Sequence, residues 1–466
     1  MRDFLIVLIV LGSVPVTFLR PQVGILMWFW LSLMNPHKLS WSYAQQFRVA
    51  LVVGAATLIA WICSREAKRP PNSLIVWTLA FFTFWVSLAA FFAIHPEVAL
   101  PKWEEIIKIL LMTFVAMCIV NSRERIHQLV WVITVSIGAY GVKGGAFAIA
   151  NGGHYRVYGP PDSFIADNNS LALALIMILP LLLYLRSESS NRWVRHGLLG
   201  SVGFVVVSIM ASYSRGAFLG LAFTLAFLVM RMRRRMAIII FGIGVFGAGI
   251  FLLPQQWWHR MTTIETYDKD ASALGRFDAW KFAFRLALDH PLVGGGQLVG
   301  LDRDLFFHYV PDAEANRAAH SIYFEVLGET GFVGLGLYLL LLGSSFLAGG
   351  WITRSTRDRP DLAWARSLAA MMQASLVGYA VSGAFLSLGF FDLFYALVAV
   401  IAVTQDVVRR ELARPTVATA TREAAMGRWK SGFASPSPVA VRVGEPIADN
   451  PAHRFGGRAY GTPPAR

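Results

Sequence analysis

The chain has little charge and almost no cysteine. Only 15% of its 466 residues are charged, against about 25% in a soluble domain. This shortage, together with 56% hydrophobic residues and a mean hydropathy of +0.53, excludes an ordinary soluble protein and indicates a polytopic membrane protein. The two cysteines, Cys63 and Cys118, fall near helix ends that we predict to be cytoplasmic, so we expect no disulfide.

Acidic residues are also scarce, with 28 Asp and Glu against 42 Lys and Arg and a net charge of +14. A basic balance can indicate nucleic acid as a partner. Here most of the cations form short clusters between apolar runs, which is typical of the positive-inside loops of membrane proteins. We therefore expect membrane lipids, and no nucleic acid, among the partners.

Apolar runs long enough to cross a bilayer recur along the chain. Eleven follow the N-terminal stretch, near residues 47–64, 73–94, 104–121, 126–150, 169–185, 194–212, 215–231, 236–253, 331–351, 364–386 and 388–406. The first 34 residues hold one broken span or two short ones, because Pro15 and Pro21 interrupt them. We predict an all-α polytopic membrane protein of about twelve transmembrane helices, forming a bundle over residues 1–411.

Five basic clusters assign the two sides of the membrane. They lie near residues 64–69, 123–125, 186–195, 231–235 and 354–359. Two spans separate each neighbouring pair of clusters, so one orientation makes all five cytoplasmic. Both termini are then cytoplasmic, and residues 254–320 form a large outer loop between two late spans. Residues 412–466 are rich in Pro, Ala, Gly, Ser and Arg and are predicted to be a disordered basic cytoplasmic tail.

Two arginines on the predicted outer face are candidates for anion binding. Arg215 lies in a tight turn between two spans, where it could reach lipid headgroups or hold diphosphate oxygens in its planar fork. Arg276 begins a predicted helix over residues 276–289. The apolar residues of that helix recur at helical spacing and predict an amphipathic segment at the membrane interface: Trp280, Phe284, Ala287 and Leu288.

The third candidate, His320, opens a run that contains Tyr323 and Glu325. A neutral imidazole can accept a proton from an attacking hydroxyl, although a histidine at a membrane boundary is more often a polar cap. If the run is helical, His320 shares a face with Phe324, and Tyr323 lies one turn along. Glu325 and Glu329 could complement the positive start of the helix or orient His320, and both possibilities stay open.

Weaker candidates lie in another outer loop. Arg156 and the pair Asn168 and Asn169 bracket a Gly-Pro turn, which could contribute to a site or could be only a turn and a helix cap. The pairs Asp268/Asp270 and Asp302/Asp304 have the Asp-x-Asp spacing of some metal-dependent glycosyltransferases. Because the middle residue is cationic in both, we predict neither a metal nor another cofactor.

Three short elements, in this order, resemble the bacterial O-antigen ligase family. They are the Ser-Tyr-Ser-Arg-Gly run at 212–216, the Gly275-Arg276 pair with Trp280 and the following 289–294, and the run at 320–334. The elements around Arg156 and the asparagine pair fit the same pattern, so the resemblance spans about 155–335. The first 130 residues are more similar to the exosortase-associated O-glycosylation ligase branch.

The resemblance implies an inverting, metal-independent glycosyltransferase of lipopolysaccharide biosynthesis, with a periplasmic active site in the bacterial inner membrane. The donor would be a glycan on undecaprenyl diphosphate, and the acceptor lipid A-core. His320 would be the general base on the acceptor hydroxyl, and Arg215 and Arg276 would bind the departing diphosphate. The residues expected to contact substrate are Arg156, Asn168, Asn169, Tyr323 and Glu325.

Other functions stay open. Within the same superfamily, the chain could be an O-glycosylation ligase that acts on protein hydroxyls, or an O-antigen polymerase. A different class is a polyprenyl-lipid flippase or transporter, which usually places ionisable residues in mid-membrane. Lys108 and Lys143 are the main candidates for such a path. The favoured arginines and histidine lie at one face, which favours chemistry at the membrane surface.

Overall fold

The computed structural model describes residues 2–39, 48–66, 68–231 and 271–414, and this part of the chain contains helices and turns but no strand. The helices are α1 Arg2–Leu19, α2 Pro21–Met34, α3 Val49–Cys63, α4 Leu74–Phe91, α5 Pro96–Ile119, α6 Arg123–Ala150, α7 Asn168–Glu188, α8 Arg192–Met210, α9 Arg215–Arg231, α10 Ala271–Asp289, α11 Arg303–Tyr309, α12 Ile322–Ser355, α13 Ala363–Gly383 and α14 Asp392–Ala413. The predicted span at 236–253, the pair Asp268/Asp270 and residues 415–466 of the predicted tail lie outside the described residues.

Five of these helices, α4, α6, α7, α8 and α12, are long and apolar enough to cross a membrane, and α1, α2 and α3 are shorter apolar helices. This arrangement is that of an all-α membrane protein. The number of spans and their orientation stay predictions. Cys63 and Cys118 are both free thiols.

The N-terminal 34 residues form two short helices rather than one broken one. The break falls at Arg20, which is extended at φ −141°, directly before Pro21. Pro15 stays inside α1. Proline has a fixed φ and no amide hydrogen to donate, so it suits the first position of a helix. The break therefore comes from Pro21 and not from Pro15.

The long helix α12 differs from the predicted span at 331–351, because it begins at Ile322 and is interrupted at Gly331 (φ 70°, ψ −173°). A Cβ at Gly331 would lie 2.3 Å from the carbonyl oxygen of Leu292. The Trp85 indole donates to the carbonyls of Leu292 and Thr330, at 3.1 Å each. The interruption is therefore held by a loop from 290–296 and by α4, which the local sequence does not show.

The helix α10 and the shorter α11 pack around a small core of their own, which contains Phe282, Leu286 and Phe306. Part of the predicted apolar face of α10 lies on the protein surface. Phe284 and Leu288 are 46% and 57% exposed, and the side buried in the protein is formed by Ala279, Phe282, Ala283 and Leu286. This buried side packs on α12 and the small core, and the location of α10 at the membrane interface stays a prediction.

Candidate active site

His320 lies just before α12, not on it. The helix begins at Ile322 with Ser321 as its N-cap, and His320 has a left-handed backbone at φ 43°. The predicted helical face shared with Phe324 is therefore wrong. The His320 amide donates to the hydroxyl oxygen of Ser387 at 2.8 Å, so the turn between α13 and α14 holds this uncommon conformation.

The charges around His320 favour a neutral imidazole. Burial lowers the pKa of His320, and the nearby cations Arg276 and Arg317 lower it further, while Asp167 opposes them. A histidine whose pKa is below its usual value is unprotonated at neutral pH. The side chain is therefore in the form that can accept a proton.

Arg276 reaches this position because α10 is fixed against the segment that precedes His320. The Trp280 indole donates to the carbonyl of Ala319 at 2.8 Å and stacks on Phe324 with ring centroids 5.0 Å apart. A Cβ at Gly275 would lie 2.5 Å from the Arg317 side chain, so the Arg317 side chain packs directly against this glycine. The short motif at 275–280 thus brings two arginines to the histidine.

Arg215 begins α9 at the same end of the bundle. A Cβ at Gly216 would lie 3.1 Å from Phe385, two residues before the serine that binds the His320 amide. The Arg215 turn and the turn that positions His320 are therefore neighbours.

The upstream loop is tied to the Arg215 turn through Asn168. Its buried side chain donates to the carbonyl of Ser212 at 2.6 Å. The cap of α7 is Asp167, whose carboxylate accepts from the amides of Asn169 and Ser170, so the asparagine pair does not cap this helix. Arg156 is exposed. Burial raises the pKa of the nearby Tyr213 hydroxyl, and the Arg156 cation offsets part of this rise.

Two predicted substrate contacts already have intramolecular partners. The Tyr323 hydroxyl donates to the carbonyl of Ala380 at 2.8 Å, which anchors α12 to α13. Glu325 accepts from the amide of Gly389 through one carboxylate oxygen at 2.7 Å. Tyr323 is thus used to hold the helices together, whereas Glu325 keeps a second oxygen that is not used in this bond.

A cavity of about 300 Å³ opens beside the backbone of His320. Its charged lining residues come from four different segments: Lys102, Asp167, Arg317, Glu325 and Glu329. Lys102, Asp167 and Arg317 were not among the site residues predicted from the sequence. Arg317 could have been noticed as a further arginine on the predicted outer face, where cations are disfavoured. Lys102 carries the same signal, because it lies in the predicted outer segment between the spans at 73–94 and 104–121, whereas Asp167 carries none.

The Asp302/Asp304 pair is used in the fold. One oxygen of Asp302 accepts from the Leu305 amide at 3.0 Å and caps α11, and the other pairs with His95. Together these contacts lower the pKa of Asp302, the amide contributing most. Among the described residues, no group of three or more His, Cys, Asp or Glu side chains could hold a metal ion. The pair Asp268/Asp270 lies outside those residues.

The fold and the site together define an all-α membrane protein with arginines and a neutral histidine at one end of its bundle. A family model described as O-antigen ligase matches residues 200–339, and this match confirms the resemblance seen in the sequence: the region that holds Arg215, Arg276 and His320 is similar to the O-antigen ligases. Residues 1–190 match a family of unknown function (DUF5935). A search of the curated proteins found no match.

The similarity of residues 200–339 to O-antigen ligases favours a glycosyltransferase-like enzyme. It also implies lipid-linked glycans and membrane lipids as partners. The first 190 residues are not matched by the ligase model, yet they supply Lys102 and Asp167 to the cavity beside His320.

Proposed function

We propose that the protein is an inverting, metal-independent glycosyltransferase of the O-antigen ligase type. It moves O-antigen glycan from undecaprenyl diphosphate to lipid A-core at the periplasmic face of the inner membrane. The observation that carries this proposal is Arg276 beside His320, near enough for the cation to lower the pKa of the imidazole. A neutral base next to a fixed cation suits attack by a hydroxyl with departure of a diphosphate.

In the proposed reaction, the acceptor hydroxyl attacks the anomeric carbon of the donor sugar from the side opposite the diphosphate. Its proton passes to His320 as the new carbon–oxygen bond forms. The bond between the anomeric carbon and the diphosphate oxygen breaks, and its electron pair stays on undecaprenyl diphosphate. That group is a stable anion and leaves without a proton donor, so the configuration inverts in one step.

The arginines stabilise the negative charge that grows on the leaving group. Of the three arginines, Arg276 is the one that lowers the pKa of His320. Arg215 starts a helix that packs against Phe385, in the turn that also holds His320. Preorganised cations of this kind act without a reorganisation cost at the moment of reaction. Arg156 is the most exposed of these arginines and would contact the distal phosphate, and Asn169 at the start of α7 is a further candidate contact.

The direct test uses purified protein in nanodiscs, with undecaprenyl-diphosphate glycan and lipid A-core as substrates and EDTA present. We expect a ligated product from the wild type and none from His320→Ala or Arg276→Ala. Arg303→Ala is the matched control, because Arg303 is an exposed arginine of the same loop. Full activity of His320→Ala would remove the general base, and activity lost in EDTA and restored by a divalent ion would contradict the metal-independent reaction.

The same assay separates the related functions. Transfer to a protein but not to lipid A-core would assign the chain to the O-glycosylation ligases. Extension of the lipid-linked glycan itself would make it a polymerase. Movement of the donor across the bilayer without any covalent product would make it a flippase, and each of these results contradicts the proposal.

A further inference from the structure

The cavity beside His320 has a lining that the proposed chemistry does not use. The carboxylates of Glu325 and Glu329 line it, one helical turn apart on α12, and Glu329 is 7% exposed. Burying two carboxylates side by side is unfavourable unless they meet cations or hydrogen-bond donors. Such a pair therefore indicates a ligand-binding or a structural purpose.

In each carboxylate, one oxygen accepts a hydrogen bond from the protein backbone. Glu325 accepts from the Gly389 amide at 2.7 Å, and Glu329 accepts from the Leu298 amide at 2.9 Å. Within the described part of the chain, the second oxygen of each side chain makes no hydrogen bond. Both side chains line the cavity, so two acceptor atoms remain for donors on a ligand.

The two cations of the cavity offset these carboxylates. Lys102 attracts both Glu325 and Glu329, and its ammonium lies 4.9 Å from the centre of the Phe164 ring. Arg317 also lines the cavity. With Asp167, the cavity is lined by three acidic and two basic side chains, so it lacks the excess of cations that a diphosphate site needs.

The remaining lining suits a sugar ring. Phe164, Phe324 and Phe390 present aromatic surface to the cavity, and a few placed polar groups among apolar walls are typical of small-molecule sites. The volume of about 300 Å³ is at the lower end of such sites. The hydroxyls of a sugar would donate hydrogen bonds to the two carboxylates. The serine or threonine side chain of a protein acceptor would fill only a small part of this volume.

We propose that this cavity is the subsite for the acceptor sugar, in which Glu325 and Glu329 accept hydrogen bonds from hydroxyls of the sugar residue that is attacked. The inference rests on the proposed function and deepens it, because it makes the acceptor a glycan rather than a protein. It also gives residues 1–190 a part in substrate recognition, through Lys102 and Phe164, which form one wall.

The test separates the affinity for the acceptor from the affinity for the donor. For Glu325→Gln and Glu329→Gln, we expect the acceptor KM to rise about tenfold or more, as for a lost charge-assisted hydrogen bond. The donor KM should stay within about twofold, since the carboxylates do not face the diphosphate. Glu104→Gln is the control: it is the same substitution on α5, on a carboxylate paired with Lys108 and outside this cavity, and it should leave both constants unchanged.

A second measurement needs no donor and no turnover. Calorimetry with delipidated core oligosaccharide should show binding to the wild type and to Glu104→Gln, and binding at least about tenfold weaker to the two cavity variants. An unchanged acceptor KM in both cavity variants would overturn the subsite while leaving the transferase proposal intact. Equal rises in donor and acceptor KM would overturn it as well, because they would show a general loss of structure.

The opposite failure is also distinguishable. Oligosaccharide binding that depends on Glu325 and Glu329, in a protein that transfers nothing to lipid A-core, would keep the sugar subsite and remove the proposed reaction. If Glu329→Gln does not fold, the thermal unfolding curve will show it, and the less buried Glu325→Gln carries the test alone.

Discussion

Residues 200–339 and residues 1–190 contribute to the site in different ways. The first region supplies the groups with reactive chemistry, Arg276 and His320, and it is the region that the ligase family model matches. The second supplies walls and charge: Lys102 and Asp167 line the cavity. The difference teaches that the family match covers the proposed catalytic groups, whereas the cavity next to them also includes neighbours that the match does not cover.

The largest loss of activity should come from replacing His320, the proposed general base. Replacing His320 with alanine removes the proton acceptor, so kcat/KM should fall by about 10² to 10⁴. Steady-state transfer to lipid A-core measures it. His308→Ala, the same change at an exposed histidine of the same loop, should have no comparable effect. Equal losses in the two variants would show that the loop, and not the base, was damaged.

A pH profile of activity compares the charges that the two regions place near His320. Arg276 lowers the pKa of His320 and Asp167 raises it. The base works only when neutral, so activity falls on the acid side as His320 becomes protonated. Arg317 also lowers the pKa of His320, so Arg317→Gln should move this acid limb of kcat/KM to higher pH. Asp167→Asn should move it to lower pH, and asparagine can still cap α7.

Opposite shifts in these two variants would show that both regions face the same histidine. Shifts in one direction, or none, would contradict the arrangement of charges around His320.

A smaller effect should follow from Ser387→Ala. This hydroxyl accepts from the His320 amide and so holds a backbone conformation that non-glycine residues rarely adopt. Loss of one such bond corresponds to roughly 0.5–1.5 kcal/mol, so kcat should fall several-fold with little change in either KM. Ser201→Ala, at an exposed position of α8, should not change kcat. A rise in KM alone would place Ser387 in substrate binding instead.

The smallest effect should come from the contact between His95 and Asp302, which joins the N-terminal region to the cap of α11. The His95 side chain is 42% exposed, and partly exposed ion pairs contribute about 0.2–1 kcal/mol. His95→Gln should therefore lower thermal stability slightly and leave kcat/KM nearly unchanged. A large loss of activity would mean that the two regions are coupled more tightly than their contacts indicate.

Local sequence predicted those parts of the molecule that depend on neighbours in the chain. Hydropathy located the helices, and the order of short motifs brought Arg276 and His320 into one hypothesis. Pro15 and Pro21 together predicted an interruption in the first 34 residues, which the structure places at Pro21 alone. Arg215 and Arg276 were chosen as candidates because the predicted outer face usually has few cations.

What the sequence did not show depends on distant partners. His320 is left-handed because of Ser387, 67 residues further along the chain. The face of α10 that is buried in the protein is set by its packing on α12 and the small core, which its helical spacing did not show. Lys102 belongs to α5, which carries no motif, and only the assembled bundle brings it to a cavity beside a histidine more than 200 residues away.

The most direct measurement of the central claim is a single-turnover transfer experiment with the purified full chain in nanodiscs. Undecaprenyl diphosphate carrying a labelled glycan is the donor, lipid A-core is the acceptor, and EDTA is present. The account predicts labelled lipid A-core from the wild type, with an inverted glycosidic bond, and no product from His320→Ala. Labelled product at an equal rate from His320→Ala, or no product from the wild type, would contradict it.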